Sequence, residues 1–213
     1  MTSGALTATA VGVSIDEQML LPTTSATITA GSALAIRGPN GSGKTTLLRV
    51  LAGSVRPSTG EVHWEGEPLR IRRADHRAVI AAMIGMPAMA RDLTLVEQLR
   101  FVRATWGDSA SEGERTALEG LAELGISALA ARYPTELSSG QLQLFSLALT
   151  FARPCRVLLL DEPEQRLDAH RRSLVADALR RRMAAGCGIG LATHSGRLAR
   201  AIGADVLTVG EAP

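Results

Sequence analysis

A chain of 213 residues has room for one α/β domain with a sizeable core and a small inserted subdomain, and is too short for two such domains. Hydrophobic side chains make up 46 % of it but aromatics only 3 %, so the core is built from Ala, Val, Leu and Ile, which favours buried parallel strands and helices over a β-sandwich. A formal charge of +2, from 23 basic against 21 acidic side chains, is too balanced to mark a nucleic-acid binder by charge alone. No run approaches ~18 consecutive apolar residues, and no basic segment leads into an apolar run at the start, so the chain is expected neither to span a membrane nor to be secreted. Cys155 and Cys187 have neither metal-ligand spacing nor a disulfide framework and are read as a reduced thiol pair without assigned chemistry.

Residues 10–37 are β-rich, with a strand at Ala26–Thr29, a turn at Gly31 and a second strand at Ala33–Arg37. That strand runs into Gly38-Pro39-Asn40-Gly41-Ser42-Gly43-Lys44-Thr45-Thr46, which fits G-x-x-x-x-G-K-[ST] at every specified position. Lys44 is the only lysine; the 22 other basic residues are arginine. A compact ammonium suits a place between β- and γ-phosphates better than the wide guanidinium fork. A helix starting at Lys44 and stopping near Gly53 supplies the required context, since its N-terminus and the loop amides then face the anion. The segment is expected to bind a nucleoside triphosphate.

Pro57-Ser58-Thr59-Gly60 reads as a turn, and Glu61–Trp64 followed by Glu65-Gly66 as a short hairpin. Beyond about residue 70 the pattern is helical. Thr94 and Glu97 form a capping-box pattern, and Leu118, Leu121, Leu124 and Leu129 recur at helical spacing, so about 90–135 reads as a helical insertion. Gly107 to Glu114 reads as a surface loop between its helices. Val157–Leu160 is a short apolar run of the kind buried on both faces of a sheet. Asp168 can cap a helix to about Ala185, with Leu174, Val175, Ala178, Leu179 and Met183 on its buried stripe, and Gly188–Thr193 is a further strand ending at His194. The arginine groups at 70–77 and 180–182 read as solvated surface.

The apolar run at Val157–Leu160 ends in Asp161-Glu162, which places one carboxylate to orient Mg²⁺ and a second beside an attacking water as general base. Leu137-Ser138-Ser139-Gly140-Gln141 begins 20 residues before that strand opens, behind Tyr133-Pro134-Thr135-Glu136. This segment resembles the Leu-Ser-Gly-Gly-Gln signature of the ATP-binding cassette (ABC) ATPases. The phosphate loop, the Asp-Glu strand end and the lone His194 follow the family's order and spacing from about residue 10 to 210.

The resemblance implies a single α/β domain over residues 1–213: a P-loop ABC ATPase core with an antiparallel β subdomain and an inserted helical subdomain. It implies ATP and Mg²⁺ as cofactors and a site shared between two cassettes packed head to tail. Gly38, Asn40, Gly41, Ser42, Gly43, Lys44, Thr45 and Thr46 would then hold the phosphates of one ATP, with Thr45 and Asp161 on Mg²⁺. Glu162 would polarise the attacking water, and His194 would touch the γ-phosphate. Ser138, Ser139, Gly140 and Gln141 would close over the ATP of the partner cassette. The function implied is the ATPase subunit of an ABC transporter, of exporter type, with a separate transmembrane permease subunit and a second cassette as partners. Its place would be the cytoplasmic face of the cell membrane, held by the permease, and no nucleic acid is expected. The alternatives are a soluble ABC ATPase acting on nucleic acid or ribosomes and a regulatory cassette in a heterodimer.

Four departures from the family pattern stand out. Ser139 replaces the signature's first glycine. Gln165-Arg166-Leu167-Asp168 keeps only the leucine and aspartate of the usual Ser-Ala-Leu-Asp. Val11–Leu21 contains no aromatic residue to stack on adenine, leaving Ile15 or Val13 for that place. The coupling glutamine is expected near Met86, yet no glutamine lies between Glu65 and Glu97. Hydrolysis is therefore expected to survive but to be slow or strongly dependent on a partner.

Overall fold

Alternating burial sets the first strands of this computed structural model, in which residues 4–210 are described. Strand β1 (Ala5–Ile15) turns Leu6 and Ala8 inward, slips register near Ala10, where φ is 48°, and resumes with Val11 and Val13 inside. Asp16 and Glu17 (φ 46° and 65°) make the tight hairpin turn into β2 (Gln18–Thr29). The β-rich region thus begins about five residues earlier than the sequence suggested, because Leu6 is the one large apolar marker among the Ala and Thr there.

Strand β3 (Ala33–Arg37) leads through the glycine loop into α1 (Lys44–Leu51). Strand β4 (Thr59–Trp64) and the short β5 (Glu67–Pro68) form the expected hairpin across Glu65-Gly66, both with positive φ, although β4 already opens at Thr59 inside the expected turn. Helix α2 (Ala74–Val79) is followed at once by β6 (Ile80–Met83), which corrects the reading of the stretch just beyond residue 70 as helical.

The helical stretch holds α3 (Leu95–Thr105) and α4 (Ala110–Glu123). Thr94 caps α3 in a complete capping box with Glu97, as read. Residues 110–114, expected in a loop, are the first turn of α4, because Ser109 and Glu112 form a second capping box within the Gly/Ser/Glu run. Leu129 belongs to a 3₁₀ turn, Ser127–Leu129, rather than an α-helix. Helix α5 (Ser139–Phe151), strand β7 (Val157–Asp161), helix α6 (Ala169–Ala184), strand β8 (Gly188–Ala192), helix α7 (Gly196–Ala201) and strand β9 (Asp205–Thr208) complete the order. Asp168 does cap α6, its Oδ1 accepting from Arg171 N at 2.8 Å. Val175, Ala178 and Leu179 are buried there, whereas Leu174 and Met183 are only half-buried.

Two compact units emerge. The first, residues 4–84, 155–162 and 179–210, contains both sheets. One is antiparallel, in the order β2-β1-β4-β5; the other is parallel, in the order β6-β7-β8-β3-β9. Helix α1 packs against β1 and β2 of the antiparallel sheet and β7 and β8 of the parallel one, with Leu47, Leu48 and Leu51 fully buried. Each such leucine contributes about 1.5–3 kcal/mol relative to exposure. Strand β8 is buried throughout, and its glycines let β2 close over it: a Cβ on Gly188 would sit 2.7 Å from the Thr29 carbonyl oxygen.

The second unit, residues 85–154 and 163–178, has α3, α4 and α5 in mutual contact. Leu95, Leu99, Leu121, Leu144 and Phe145 are essentially fully buried. The connection from α3 to α4 is closed by Arg103, which donates through Nε and Nη2 to both carboxylate oxygens of Asp108 at 2.8 and 2.9 Å, and through Nη1 to the Ala152 carbonyl at 3.0 Å.

Candidate functional site

Parallel pairing decides where the polar residues meet. Strands β7, β8 and β3 are neighbours, and Asp161, Ala192 and Ile36 stand in register. Their carboxyl ends therefore release Asp161-Glu162, Thr193-His194 and the glycine loop at one edge of the sheet, the usual place for a ligand crevice in an open α/β fold.

The loop turns on glycine. Gly43, the N-cap of α1, has φ 100°, and a Cβ there would sit 2.7 Å from the Leu20 carbonyl oxygen. The first-turn amides of α1 have no intrahelical acceptor, so they present positive partial charge to whatever lies before them. Lys44 is buried and folds back over the loop, its Nζ donating to the carbonyls of Gly38 at 2.9 Å and Pro39 at 2.8 Å. Ser42 is half-buried, and its enclosed hydroxyl has no hydrogen-bond partner.

Thr45 Oγ1 donates to Asp161 Oδ2 at 2.7 Å, which joins the first turn of α1 to the end of β7. A hydroxyl and a carboxylate so placed are hard oxygen donors, a fit for Mg²⁺. Glu162 takes the left-handed conformation, φ 48°, while its N–H donates to the Ala192 carbonyl at 2.9 Å. A non-glycine residue held there by its neighbours is a strained turn of the kind found at functional sites. Its carboxylate Oε1 lies 3.1 Å from His194 Nε2, with both side chains partly open to solvent. Thr193 Oγ1 accepts from Ser195 N at 2.9 Å and so holds the turn that carries His194.

Lys44, Thr45, Asp161, Glu162 and His194 line one cavity of about 480 Å³ with Asn40, Gly41, Gly43 and Thr46, whereas Gly38 and Ser42 of the loop do not line it. Its other wall is Gln18, Met19 and Leu20, delivered by the Asp16-Glu17 turn. The sequence reading missed these three; a two-residue acidic turn between two β-runs was the signal that could have placed them. Of the two residues proposed for the missing aromatic, Val13 is only 3 % exposed and belongs to the core, which rules it out. Ile15 and Met19 are 57 % and 66 % exposed; Met19 lines the wall, and Ile15 stands just before the turn that delivers it.

Ser138, Ser139, Gly140 and Gln141 lie in the second unit and do not line this cavity. Ser138 and Gln141 close a capping box on α5: Gln141 N donates to Ser138 Oγ at 3.3 Å, and Ser138 N to Gln141 Oε1 at 2.8 Å. Ser138 and Ser139 are exposed on the first turn. Gly140 is buried, and a Cβ there would sit 2.9 Å from the Arg166 carbonyl oxygen. Met86, where a glutamine was expected, is half exposed and accepts at Sδ from Ser146 Oγ at 3.0 Å.

Residues 21–165 match the family model for ABC transporters. The cytochrome c biogenesis ATP-binding export protein CcmA of Paramagnetospirillum magneticum is 36 % identical over 168 residues, covering 79 % of this chain and 77 % of that one. The hemin import ATP-binding protein HmuV of Streptomyces coelicolor is 35 % identical over 177 residues, covering 82 % of this chain and 63 % of that one. A solved ATP-binding subunit of an ABC transporter superposes with a TM-score of 0.84 at 25 % identity, over 96 % of this chain and 85 % of its own. The fold alone is also shared with the dimeric bacterial cassette MJ0796, at a TM-score of 0.85 and 23 % identity over 96 % of this chain and 94 % of that one. The chain belongs to the ABC transporter family, as an ATP-binding, ATP-hydrolysing subunit.

Proposed function

We propose that this subunit powers an exporter-type transporter whose membrane-spanning part is a separate polypeptide, through ATP-driven closure of two cassettes. The observation that carries the reading is the convergence of Lys44, Thr45, Asp161, Glu162 and His194 on one cavity at the carboxyl edge of the parallel sheet. Export is favoured over import by the shared length with CcmA, 77 % of which is covered, against 63 % of HmuV. No helix among the described residues is long and apolar enough to cross a membrane, so a permease supplied by another chain would bring the cassette to the inner membrane face.

In this reading the phosphates of ATP sit before α1, and Lys44 exchanges the Gly38 and Pro39 carbonyls for phosphate oxygens. Thr45 and Asp161 would hold Mg²⁺, which supplies charge neutralisation to the β- and γ-phosphates. Glu162 accepts a proton from the attacking water, and His194, already beside that carboxylate, orients it and reaches the γ-phosphate. Ser138, Ser139, Gly140 and Gln141 meet the ATP of the second cassette, where the first turn of α5 offers its amides. Residues 90–135 act as the helical subdomain that carries this signature toward its partner.

Affinity capture of the tagged chain from detergent-solubilised source membranes tests the assembly. A co-purifying integral membrane protein is the expected result. Recovery with ribosomal proteins or nucleic acid instead would overturn the transporter reading in favour of a soluble ABC ATPase.

A further inference from the structure

Cys155 and Cys187 are 32 residues apart in sequence, yet the fold puts them together. Cys155 lies two residues before β7 and Cys187 immediately before β8, and these strands pair in parallel with Val157 opposite Gly188. Gly188 N donates to the Arg156 carbonyl at 2.9 Å, which locks the two approaches side by side. Neither thiol is in a disulfide; the Cys187 S–H donates to the Gly188 carbonyl at 3.5 Å, with the Cys155 thiol beside it. By register Cys187 faces Arg156, one residue along from Cys155; with strands roughly 4.8 Å apart and a rise of about 3.3 Å per residue, that diagonal is roughly 6 Å, inside the Cα separations of about 4.4–6.8 Å that a disulfide spans.

The two thiols differ in access. Cys187 is 8 % exposed, while Cys155 is half-buried and open on one side. Loss of the Cys187 proton is opposed first by its hydrogen bond with Cys155, then by burial and by the charge of Cys155; the Arg182 guanidinium offsets this only in part. Cys155, the more accessible thiol, is therefore the leading nucleophile, and Cys187, whose S–H rests on the Gly188 carbonyl, is the resolving one.

We propose that Cys155 and Cys187 form a redox dithiol that closes reversibly to an intramolecular disulfide when it meets a small organic disulfide of the glutathione class. Cys155 as thiolate attacks one sulfur of the external S–S bond; that bond breaks, leaving a mixed disulfide on Cys155 and releasing one small thiolate, which takes up a proton. Cys187 then gives its proton to solvent and attacks the Cys155 sulfur, expelling the second small thiolate. The protein loses two protons and two electrons, and one external disulfide takes up two of each to become two thiols. The closed form ties β7 to β8 at the ends remote from Glu162 and His194, a covalent brace within the sheet that carries the candidate site.

The test uses the whole folded protein in glutathione buffers graded from reduced to oxidised, quenched by alkylation and mapped by mass spectrometry. The expected result is a Cys155–Cys187 cross-linked peptide that appears in oxidised buffer and disappears on return to reduced buffer. In Cys187→Ser the expected product is glutathione held on Cys155, and in Cys155→Ser no cross-link. Both thiols remaining free in oxidised buffer, glutathione retained on Cys155 of the wild type, or a bond between two chains would each overturn the proposal. So would a cross-link that forms only after the far-ultraviolet circular dichroism of the fold is lost.

Discussion

Lys44 bonded to the Gly38 and Pro39 carbonyls is a cation held ready at an anion's position, and its exchange onto phosphate should dominate nucleotide affinity. Charge-assisted hydrogen bonds of this kind contribute about 1.5–3 kcal/mol, so Lys44→Ala is expected to weaken ATP binding roughly 10–100-fold, as titration with a fluorescent ATP analogue would show. An unchanged affinity would remove Lys44 from the site. The base end differs in kind, because the segment expected from the family pattern to offer a stacking ring presents the exposed apolar side chains Ile15 and Met19. A base–aromatic stack is worth about 1–3 kcal/mol, so Ile15→Tyr is expected to tighten ATP binding by around tenfold, and the wild type to distinguish ATP from GTP weakly in competition binding. Strong preference for ATP in the wild type would contradict this account of the wall.

Elements differ in how far the sequence revealed them, and the reason is locality. The glycine loop, α1, β7 and β8 carry their signals within a few residues and fall where expected. Strand β6 was hidden because Ile80-Ala81-Ala82-Met83 continues directly from α2 and consists of residues that suit a helix; its pairing with β7 decides it. The start of α4 was hidden by glycine and serine, although Ser109 and Glu112 together spell a capping box. The contact of Cys155 with Cys187 and of Thr45 with Asp161 depends on strand order, which no local pattern specifies.

Two predictions belong at this scale. Gly188→Ala forces a methyl against the Thr29 backbone carbonyl and is expected to cost about 1–3 kcal/mol in chemical denaturation; a neutral result would mean that β2 and β8 can separate freely. Asp108 is held below the usual carboxylate range, chiefly by its hydrogen bonds from Arg103. A depressed acid contributes stability above its unfolded value and loses it as pH falls through the folded one. Acid melting of the second unit is therefore expected to begin below about pH 4, and Asp108→Asn should flatten that dependence and lower the melting temperature at neutral pH. Identical acid profiles for the two proteins would show that Asp108 does not bind the α3–α4 connection.

At the scale of the whole molecule, the loop with its acids and the Ser138–Gln141 turn belong to different units. An ATPase built this way is expected to turn over slowly alone, and Met86, at the place where the family pattern leads us to expect a coupling glutamine, offers only a thioether, already bonded to Ser146. The central claim nevertheless rests on one carboxylate, the strained Glu162 beside His194. The most direct measurement is ATP turnover at saturating Mg²⁺-ATP by the purified wild type and by Glu162→Gln, with ATP binding measured on the same samples. The account predicts wild-type binding with turnover lowered about 10²–10⁴-fold. Turnover by Glu162→Gln at the wild-type rate would contradict it.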